Sequence, residues 1–188
     1  MTTPGTTSAR ERLLVAAARL FYERGIHATG IDTITREAGV AKMSLYNNFA
    51  SKDELVSAYL DRRHEEWLAL YRARLAGAAT PTASVLAVFD AYLDHAAASG
   101  GFRGCGLLNA AAELSTGSAG RRAVRRHKEE VESILASHLH EAAVDDAAAT
   151  AEHLALLLEG AVERAGLEGD PRRLESARRL AVTVLDAS

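Results

Sequence analysis

The segment GVAKMSLYNNFASKDEL, residues 39–55, contains a short helix whose exposed side carries groups able to contact another molecule. At 100° per residue, Leu45 and Phe49 fall together on one face of this helix and predict its buried side. The opposite side presents an ammonium, a thioether, a phenol and a carboxamide, from Lys42, Met43, Tyr46 and Asn47. A helix that faces only solvent does not need this mixture, so the pattern predicts a binding surface.

Each of these groups matches a feature of double-stranded DNA. The Asn47 carboxamide can pair bidentately with an adenine edge, and the Met43 thioether offers apolar contact to a thymine methyl. The Lys42 ammonium reaches a phosphate or a guanine. The Ser44 hydroxyl can form a hydrogen bond with a base or a phosphate, and the Tyr46 hydroxyl can form one with a phosphate. We therefore predict that this helix reads base pairs.

Two residues on the neighbouring helices are predicted to bind phosphate. Lys52 falls in the first turn of the fourth helix, where its ammonium and the helix N-terminus both favour an anion. Thr33, on the second helix, is placed to bond the other wall of the groove. A capping box of Thr29 and Asp32 is predicted to begin this second helix, and Gly39 to end it. Two short helices joined by a tight turn indicate a helix-turn-helix, which places its second helix in a major groove.

No catalytic or metal site is predicted from the cysteine and the histidines. Cys105 is the only cysteine, which excludes an internal disulfide and fits a reducing compartment. The seven histidines are scattered, and His138 and His140 point about 200° apart on a helix, too far for one ion. We interpret Cys105 as a small buried or pocket-lining residue. No cofactor is expected.

Aromatic side chains and two polar residues on an apolar helix are the candidates for a ligand site. Asn109 and Glu113 share one face of the helix CGLLNAAAEL, and buried polar groups need partners. They either satisfy each other and nearby helices or line a cavity, and both interpretations stay open. The aromatic residues are core by default and line a pocket if their helices enclose one. The predicted ligand-binding set is Trp67, Tyr71, Phe89, Tyr92, Phe102, Cys105, Asn109, Glu113 and His153.

The composition favours a helical protein with a basic N-terminal part. Of 188 residues, 48% are hydrophobic and only three are proline. Residues 1–52 carry seven basic and four acidic side chains, a net +3, whereas the remainder carries fifteen and twenty-one, a net −6. This asymmetry indicates that the first part meets a polyanion. Neither a secretory signal nor a membrane span is visible, and we expect a soluble, cytoplasmic protein.

The hydrophobic periodicity predicts an all-α chain of about nine helices and contains no strand pattern. The first helix is predicted over residues 9–24, and a Ser51–Glu54 capping box opens a long fourth helix that ends near residue 77. Residues 1–8, rich in Thr, Ser, Gly and Pro, are predicted to be a mobile tail. Later helices are predicted at about 82–98, 105–114, 118–142, 145–165 and after Pro171.

The stretch AARLFYERGIHATGIDTITREAGVAKMSLYNNFASKDEL resembles the TetR family of bacterial transcriptional regulators over about residues 10–60. The elements that match are L-F-x-x-x-G at the end of the first helix, the A-G-V turn, L-Y-x-x-F in the recognition helix and S-K-x-x-L at the start of the fourth. The resemblance implies a helix-turn-helix domain, residues 9–55, followed by a ligand-binding and dimerisation domain, residues 56–188.

The resemblance also implies how such a protein works. It implies a homodimer that binds a palindromic operator in double-stranded DNA, usually represses transcription, and leaves the operator when a small-molecule effector binds. The effector of this chain is unidentified. The implied DNA contacts are Thr33, Ala41, Lys42, Met43, Ser44, Tyr46, Asn47, Asn48 and Lys52.

Three positions depart from the family's pattern and leave the operator sequence open. Gly30 stands where many relatives have Thr or Ser, which removes one phosphate contact. Met43 stands where a small residue is common and changes the fit to the groove, and Asn48 replaces a frequent His.

Helices eight and nine are predicted to form the homodimer interface. In the segment AEHLALLLEGAV the leucines lie on more than one side, so one side packs within the subunit and the other needs cover. The resemblance places these two helices at a four-helix interface. Two alternatives to the repressor stay open: an activator or a protein-sensing or ligand-free regulator of the same fold, and a helical enzyme built around Cys105 and a histidine.

Overall fold

A computed structural model of the chain describes residues 7–98 and 101–187, and every regular element within them is an α-helix. The prediction of an all-α fold with about nine helices is confirmed. The helices of this part of the chain are α1 (Ala9–Arg24), α2 (Ile31–Ala38), α3 (Lys42–Asn48), α4 (Lys52–Leu75), α5 (Pro81–Ala98), α6 (Gly106–Glu113), α7 (Ala119–Glu141), α8 (Ala147–Glu168) and α9 (Arg172–Asp186).

Of the predicted tail, residues 1–6 lie outside the described residues. Ser8 caps α1, and its hydroxyl accepts a hydrogen bond from the Glu11 amide at 3.1 Å. In the parts of the chain that are described, none of the helices combines the length and the apolarity that crossing a bilayer requires.

The chain divides into two compact units. Unit one comprises Met1–Arg63 and Gly106–Ala123, and unit two comprises His64–Cys105 and Val124–Ser188. Helix α6, far along the chain, therefore groups with the helix-turn-helix part.

The core of unit one forms where α1 packs against α2 and α3. Phe21 and Tyr59 meet edge to face, with their ring centroids 5.5 Å apart. The large side chains that are almost fully buried here are Leu13, Leu20, Ile34, Leu45, Phe49, Leu55, Tyr59 and Leu60. The apolar positions at helical spacing thus form this core, because burial of apolar surface is the main force that holds short helices together.

The turn between α2 and α3 depends on Gly39, which has φ +63° and ψ +39°. In this left-handed conformation its N–H reaches the carbonyls of Thr35 and Arg36, and a residue with a Cβ would be strained there. The prediction that Gly39 ends the second helix is confirmed.

The two predicted capping boxes differ in outcome. The Ser51–Glu54 box is confirmed: the Ser51 hydroxyl accepts from the Glu54 amide at 3.1 Å, and the Glu54 carboxylate accepts from the Ala50 amide at 2.7 Å.

The Thr29–Asp32 box is wrong. Gly30 is the N-cap of α2 and no side chain caps it. Thr29 is only 1% exposed, and its hydroxyl donates to the carbonyls of Gly25 and Leu20 at 2.7 and 3.3 Å. The Gly25 carbonyl lies just past the end of α1, where a helix leaves carbonyls without intrahelical partners, and the Thr29 hydroxyl binds it.

Unit two is built around α5, α8 and α9, with α9 packed against both other helices. Val85, Val88, Phe89 and Ala91 of α5 are fully buried. The Arg178 guanidinium forms a two-pronged ion pair with the Asp90 carboxylate, at 2.6 and 3.1 Å, and links α9 to α5.

Candidate nucleic-acid interface and ligand site

Helix α3 is attached to unit one by a single face. Leu45 and Phe49 are 0% and 1% exposed, and the Arg10 guanidinium lies 4.8 Å from the centroid of the Phe49 ring. On the other side, Met43 is 69% and Tyr46 is 48% exposed. Lys42 and Asn47 are exposed as well. The helix therefore has the buried and exposed faces that the 100° spacing predicts.

Two polar residues of α3 already have partners within the protein. The Lys42 ammonium pairs with Asp32 at 2.9 Å, and this hydrogen bond raises the pKa of Lys42. Both side chains of this pair are largely exposed, and exposed pairs contribute little, so exchange of Asp32 for a phosphate costs little. The Asn48 amide donates to the Ser44 carbonyl at 2.7 Å on the half-buried side. Of the two neighbouring asparagines, Asn47 is the exposed one.

Three predicted DNA contacts flank α3. Ala41 is exposed and is its N-cap, and Thr33 is half-buried on α2. Lys52 is half-buried at the start of α4, and its ammonium donates to the Ile26 carbonyl at 2.6 Å. An ammonium has three donors, so two remain for another acceptor.

An aromatic cluster in unit two surrounds Trp67, the single tryptophan of the chain. The indole stacks on Tyr71 with the centroids 5.5 Å apart, and lies 5.7 Å from Tyr92. The His127 ring meets it edge-on at 5.3 Å. Within the described residues, the indole Nε1 of Trp67 is a buried donor without a hydrogen-bond partner. A buried N–H without an acceptor is costly and marks the place where a ligand acceptor would fit.

A charged group lies beside this cluster. The Lys128 ammonium is 3.5 Å from the Glu159 carboxylate and 5.8 Å from the centroid of the Tyr92 ring. Burial lowers the pKa of Lys128, but Tyr92, Cys105 and Glu159 together raise it above its usual value. Burial also raises the pKa of Tyr92, which keeps its hydroxyl neutral. Cys105 is buried close to both groups.

Three histidines lie in or beside this cluster, at positions 64, 127 and 138. His127 is 3% exposed, and its Nδ1 lies 3.0 Å from the Nδ1 of His64. Burial, with the neighbouring Lys128 and His64, lowers the pKa of His127 to about 3. His138 Nε2 lies 2.6 Å from the Tyr71 hydroxyl. His127 is therefore neutral at pH 7 and shares one proton in its contact with His64.

The sequence analysis missed His127 and Lys128. His127 carries a detectable signal, because it falls in the apolar stripe of α7 formed by Val124, Val131 and Leu135 at helical spacing. Lys128 carries no such signal, since it belongs to a run of charged residues and only the tertiary structure makes it half-buried.

The remaining predicted ligand residues are distributed more widely. Phe89 is fully buried in α5, and Phe102 is half-buried with its ring 6.0 Å from that of His95. His153 is exposed on α8. Asn109 and Glu113 belong to unit one, and the Glu113 carboxylate accepts hydrogen bonds from the amides of residues 26 and 27.

Helices α8 and α9 leave an apolar groove on the surface of unit two. Leu156 is 63% and Leu180 is 49% exposed, although both are large apolar residues. The groove between them is lined by Leu157, Gly160, Ala161 and Ala177, with Arg164, Arg173 and Ser176 beside them. Leu167, also on α8, is 83% exposed. An exposed apolar groove such as the one between Leu156 and Leu180 is typical of a protein–protein interface.

Unit one contains a packed helix-turn-helix with one polar face exposed. This arrangement is typical of helix-turn-helix modules that bind nucleic acid, and unit one belongs to that class. Two family models match the chain: "Bacterial regulatory proteins, tetR family" over residues 13–59 and "Tetracyclin repressor-like, C-terminal domain" over residues 81–181. The chain belongs to the TetR family, whose members are DNA-binding transcriptional regulators and not enzymes. The family predicted from the sequence is thereby confirmed.

Individual relatives agree with this assignment. The structure of SCO4454, a TetR-family regulator from Streptomyces coelicolor, is 36% identical, covers 95% of each chain and gives a TM-score of 0.88. The transcriptional activator FasR of Mycolicibacterium smegmatis is 38% identical over 85 residues, which are 45% of this chain and 39% of that protein. The transcriptional repressor KstR2 of Mycobacterium tuberculosis is 41% identical over 85 residues, 45% of this chain and 42% of that protein. These last two matches span about two fifths of the relatives' length.

Proposed function

We propose that this chain is an effector-responsive regulator that binds a palindromic operator as a homodimer, and that a small molecule releases it as a repressor. The observation that carries the proposal is the exposed face of α3, where Met43, Tyr46 and Asn47 project from a helix held by Leu45 and Phe49. Residues 9–55 are the proposed DNA-binding domain and residues 56–188 the proposed dimerisation and ligand-binding domain. The proposed DNA contacts are Thr33, Ala41, Lys42, Met43, Ser44, Tyr46, Asn47, Asn48 and Lys52.

The proposed dimer interface is the groove of α8 and α9. A second copy that presents the same groove would cover Leu156 and Leu180, which are the most exposed leucines along it. A two-fold contact of this kind uses the same surface on both subunits, so both copies of each of these leucines would be buried. The two recognition helices would then reach successive major grooves, about 34–36 Å apart or a multiple of that distance.

The proposed effector site is the aromatic cluster around Trp67. The unpartnered indole N–H and the half-buried Lys128 ammonium favour a flat small molecule that carries an oxygen acceptor. Such a molecule would release the protein from the operator only if it bound more tightly to the arrangement of the dimer that does not fit the operator than to the one that does.

A second candidate is an activator of the same architecture. FasR is an activator and KstR2 is a repressor, and this chain is similar to both over a similar length. Measurement of operator affinity with and without effector separates the two, because a repressor loses affinity and an activator that requires its effector gains it.

Selection of binding sites from random duplex DNA with the purified protein tests the proposal. Enrichment of a palindrome with half-sites one helical turn or more apart is the expected result. A sequence without two-fold symmetry would contradict the dimeric operator, and the absence of any enrichment would contradict sequence-specific binding by the effector-free protein.

Replacement of Asn47 by alanine should relax the selected motif at one base position. Loss of one bidentate pair costs roughly 1–3 kcal/mol against the preferred base. The enriched motif and the affinity for operators mutated at that position are the measurements, and Ser133→Ala, at an exposed position of α7 outside the proposed DNA contacts, is the control. An equal loss on every sequence would show that Asn47 does not read a base.

Ligand binding at the cluster should change the fluorescence of the protein, because Trp67 is the single tryptophan. The probes are a panel of aromatic carboxylates and phenols with matched hydrocarbons. Compounds that carry an acceptor should quench the emission, and Trp67→Phe should weaken their binding, measured by calorimetry, by about three- to tenfold for one hydrogen bond of about 1 kcal/mol. Equal binding of the hydrocarbons would contradict an acceptor on the effector.

A further inference from the structure

Glu113, the last residue of α6, binds the turn that follows α1. Its two carboxylate oxygens accept hydrogen bonds from the Ile26 amide at 2.9 Å and from the His27 amide at 2.7 Å. All three residues belong to unit one, although 86 or 87 residues separate them along the chain. Hydrogen bonds from two backbone amides to one carboxylate are charge-assisted and stronger than neutral ones.

Lys52 binds the carbonyl of the peptide group between Ile26 and His27, whose N–H is bound by Glu113. The Lys52 ammonium donates to the Ile26 carbonyl at 2.6 Å, and this carbonyl shares its peptide bond with the His27 amide. One planar peptide therefore joins the carboxylate of Glu113 to the ammonium of Lys52. Hydrogen bonds in such a chain polarise and strengthen one another, because a peptide whose N–H faces an anion presents a more negative carbonyl.

Gly25 leaves the space that this contact needs. A Cβ at Gly25 would lie 2.7 Å from a Glu113 carboxylate oxygen, and the residue has φ +89°. The buried hydroxyl of Thr29 fixes the other end of the turn through the Gly25 and Leu20 carbonyls. The turn is thus held at three points: Glu113, Lys52 and Thr29.

We infer that Glu113 is a positioning residue for DNA binding, which aligns the Ile26–His27 peptide and thereby holds the Lys52 ammonium where it meets a phosphate. The inference rests on the proposed function of Lys52 as a phosphate contact. One donor of the ammonium is used by the Ile26 carbonyl, which fixes the position of the ammonium, and two donors remain for a phosphate. Without the carboxylate, Lys52 must lose side-chain freedom when DNA binds, which weakens its contact.

The sign of the effect separates positioning from charge. Removal of a carboxylate from a DNA-binding unit strengthens binding to a polyanion if charge alone matters. The positioning role requires the reverse, a weaker complex after Glu113→Gln. Glutamine has the same shape, but only its carbonyl oxygen accepts, and its NH₂ group opposes one of the two amides.

The experiment measures operator affinity against salt concentration for the full chain and five variants. Lys52→Ala should lower the slope of log affinity against log salt by about one unit. Glu113→Gln should weaken binding by about three- to tenfold and lower the slope in the same direction, since the phosphate contact is impaired. The double variant Glu113→Gln/Lys52→Ala should bind like Lys52→Ala alone, because both changes remove one contact.

Glu129→Gln is the matched control, because it removes one carboxylate from an exposed i,i+4 pair with Arg125 on α7. It should bind the operator as the unchanged protein does. Glu113→Asp keeps the charge but withdraws the carboxylate by one methylene, and it should show the same loss of slope. This second variant also serves if Glu113→Gln does not fold.

Three outcomes overturn the inference. If Glu113→Gln binds the operator equally or more tightly with an unchanged slope, Glu113 affects DNA binding only through its charge. If Glu113→Gln binds more weakly with an unchanged slope, and its loss adds to that of Lys52→Ala in the double variant, Glu113 has only a structural role. If the unchanged protein itself binds no DNA sequence, the proposed function fails first, and this result is recognised before any variant is compared.

Discussion

Leu156→Asp is expected to abolish operator binding at protein concentrations that saturate the operator with the unchanged chain. Leu156 is 63% exposed on α8 and lines the apolar groove of α8 and α9. In a two-fold dimer built on this groove, the substitution removes two leucine contacts and places two carboxylates in an apolar interface. Burial of one leucine contributes about 1.5–3 kcal/mol, so the dimer loses at least about 3 kcal/mol.

This loss corresponds to a rise in the dimer dissociation constant of roughly a hundredfold or more. Analytical ultracentrifugation should show monomers of Leu156→Asp at concentrations where the unchanged chain is dimeric. Operator affinity should fall with it, because a monomer reaches only one half-site. The helix content of the variant should stay the same, since the replaced side chain is largely exposed in the subunit.

Ser133→Asp is the control for this substitution. Ser133 is exposed on α7 and takes no part in the groove, so the added charge is the same and the groove is intact. A Leu156→Asp protein that remains dimeric and binds the operator normally would show that the dimer uses another surface.

The free energy of unfolding should fall steeply below pH 6.5 because of His127, by about 3 kcal/mol from this one residue on going to about pH 4.5. Burial and the neighbours Lys128 and His64 lower the pKa of His127 from 6.5 to about 3 in the folded chain. Between these two values the unfolded chain takes up a proton and the folded chain does not, so acidification favours unfolding. The contribution is fully present above pH 6.5 and is lost as the pH falls toward 3.

His127→Asn tests this expectation, since a carboxamide is neutral at every pH and can retain the contact with the Nδ1 of His64. Urea unfolding at several pH values should give a shallower pH dependence for the variant than for the unchanged chain. His140→Asn, at an exposed position of the same helix, is the control and should leave the slope unchanged. Parallel curves for His127→Asn and the unchanged chain would contradict a buried neutral histidine.

The local structure of unit one follows from residues that lie within a few positions of one another. The spacing of Leu45 and Phe49 predicts which face of α3 is buried, and the exposed fractions of Met43 and Tyr46 agree. Gly39 and the Ser51–Glu54 box act through contacts over one helical turn. Such features depend on the short-range geometry of the helix, which the sequence specifies directly.

The failed capping box shows where local patterns reach their limit. Thr29 and Asp32 have the spacing of a cap, but the Thr29 hydroxyl is buried and bonds the end of α1 instead. A hydroxyl accepts or donates in either arrangement, so the choice depends on which backbone groups tertiary packing leaves without partners.

The sequence by itself determined an all-α chain of about nine helices, the buried and exposed faces of α3, and a resemblance to the TetR family that the comparisons confirm. Only the tertiary structure decided that Glu113 bonds the turn after α1, that His127 lies beside Trp67 and Lys128 beside Tyr92, and that α6 groups with unit one. Helical periodicity reports which face of a helix is apolar. It does not report which other helix packs against that face, because these contacts depend on the packing of side chains that lie tens of residues apart in the chain.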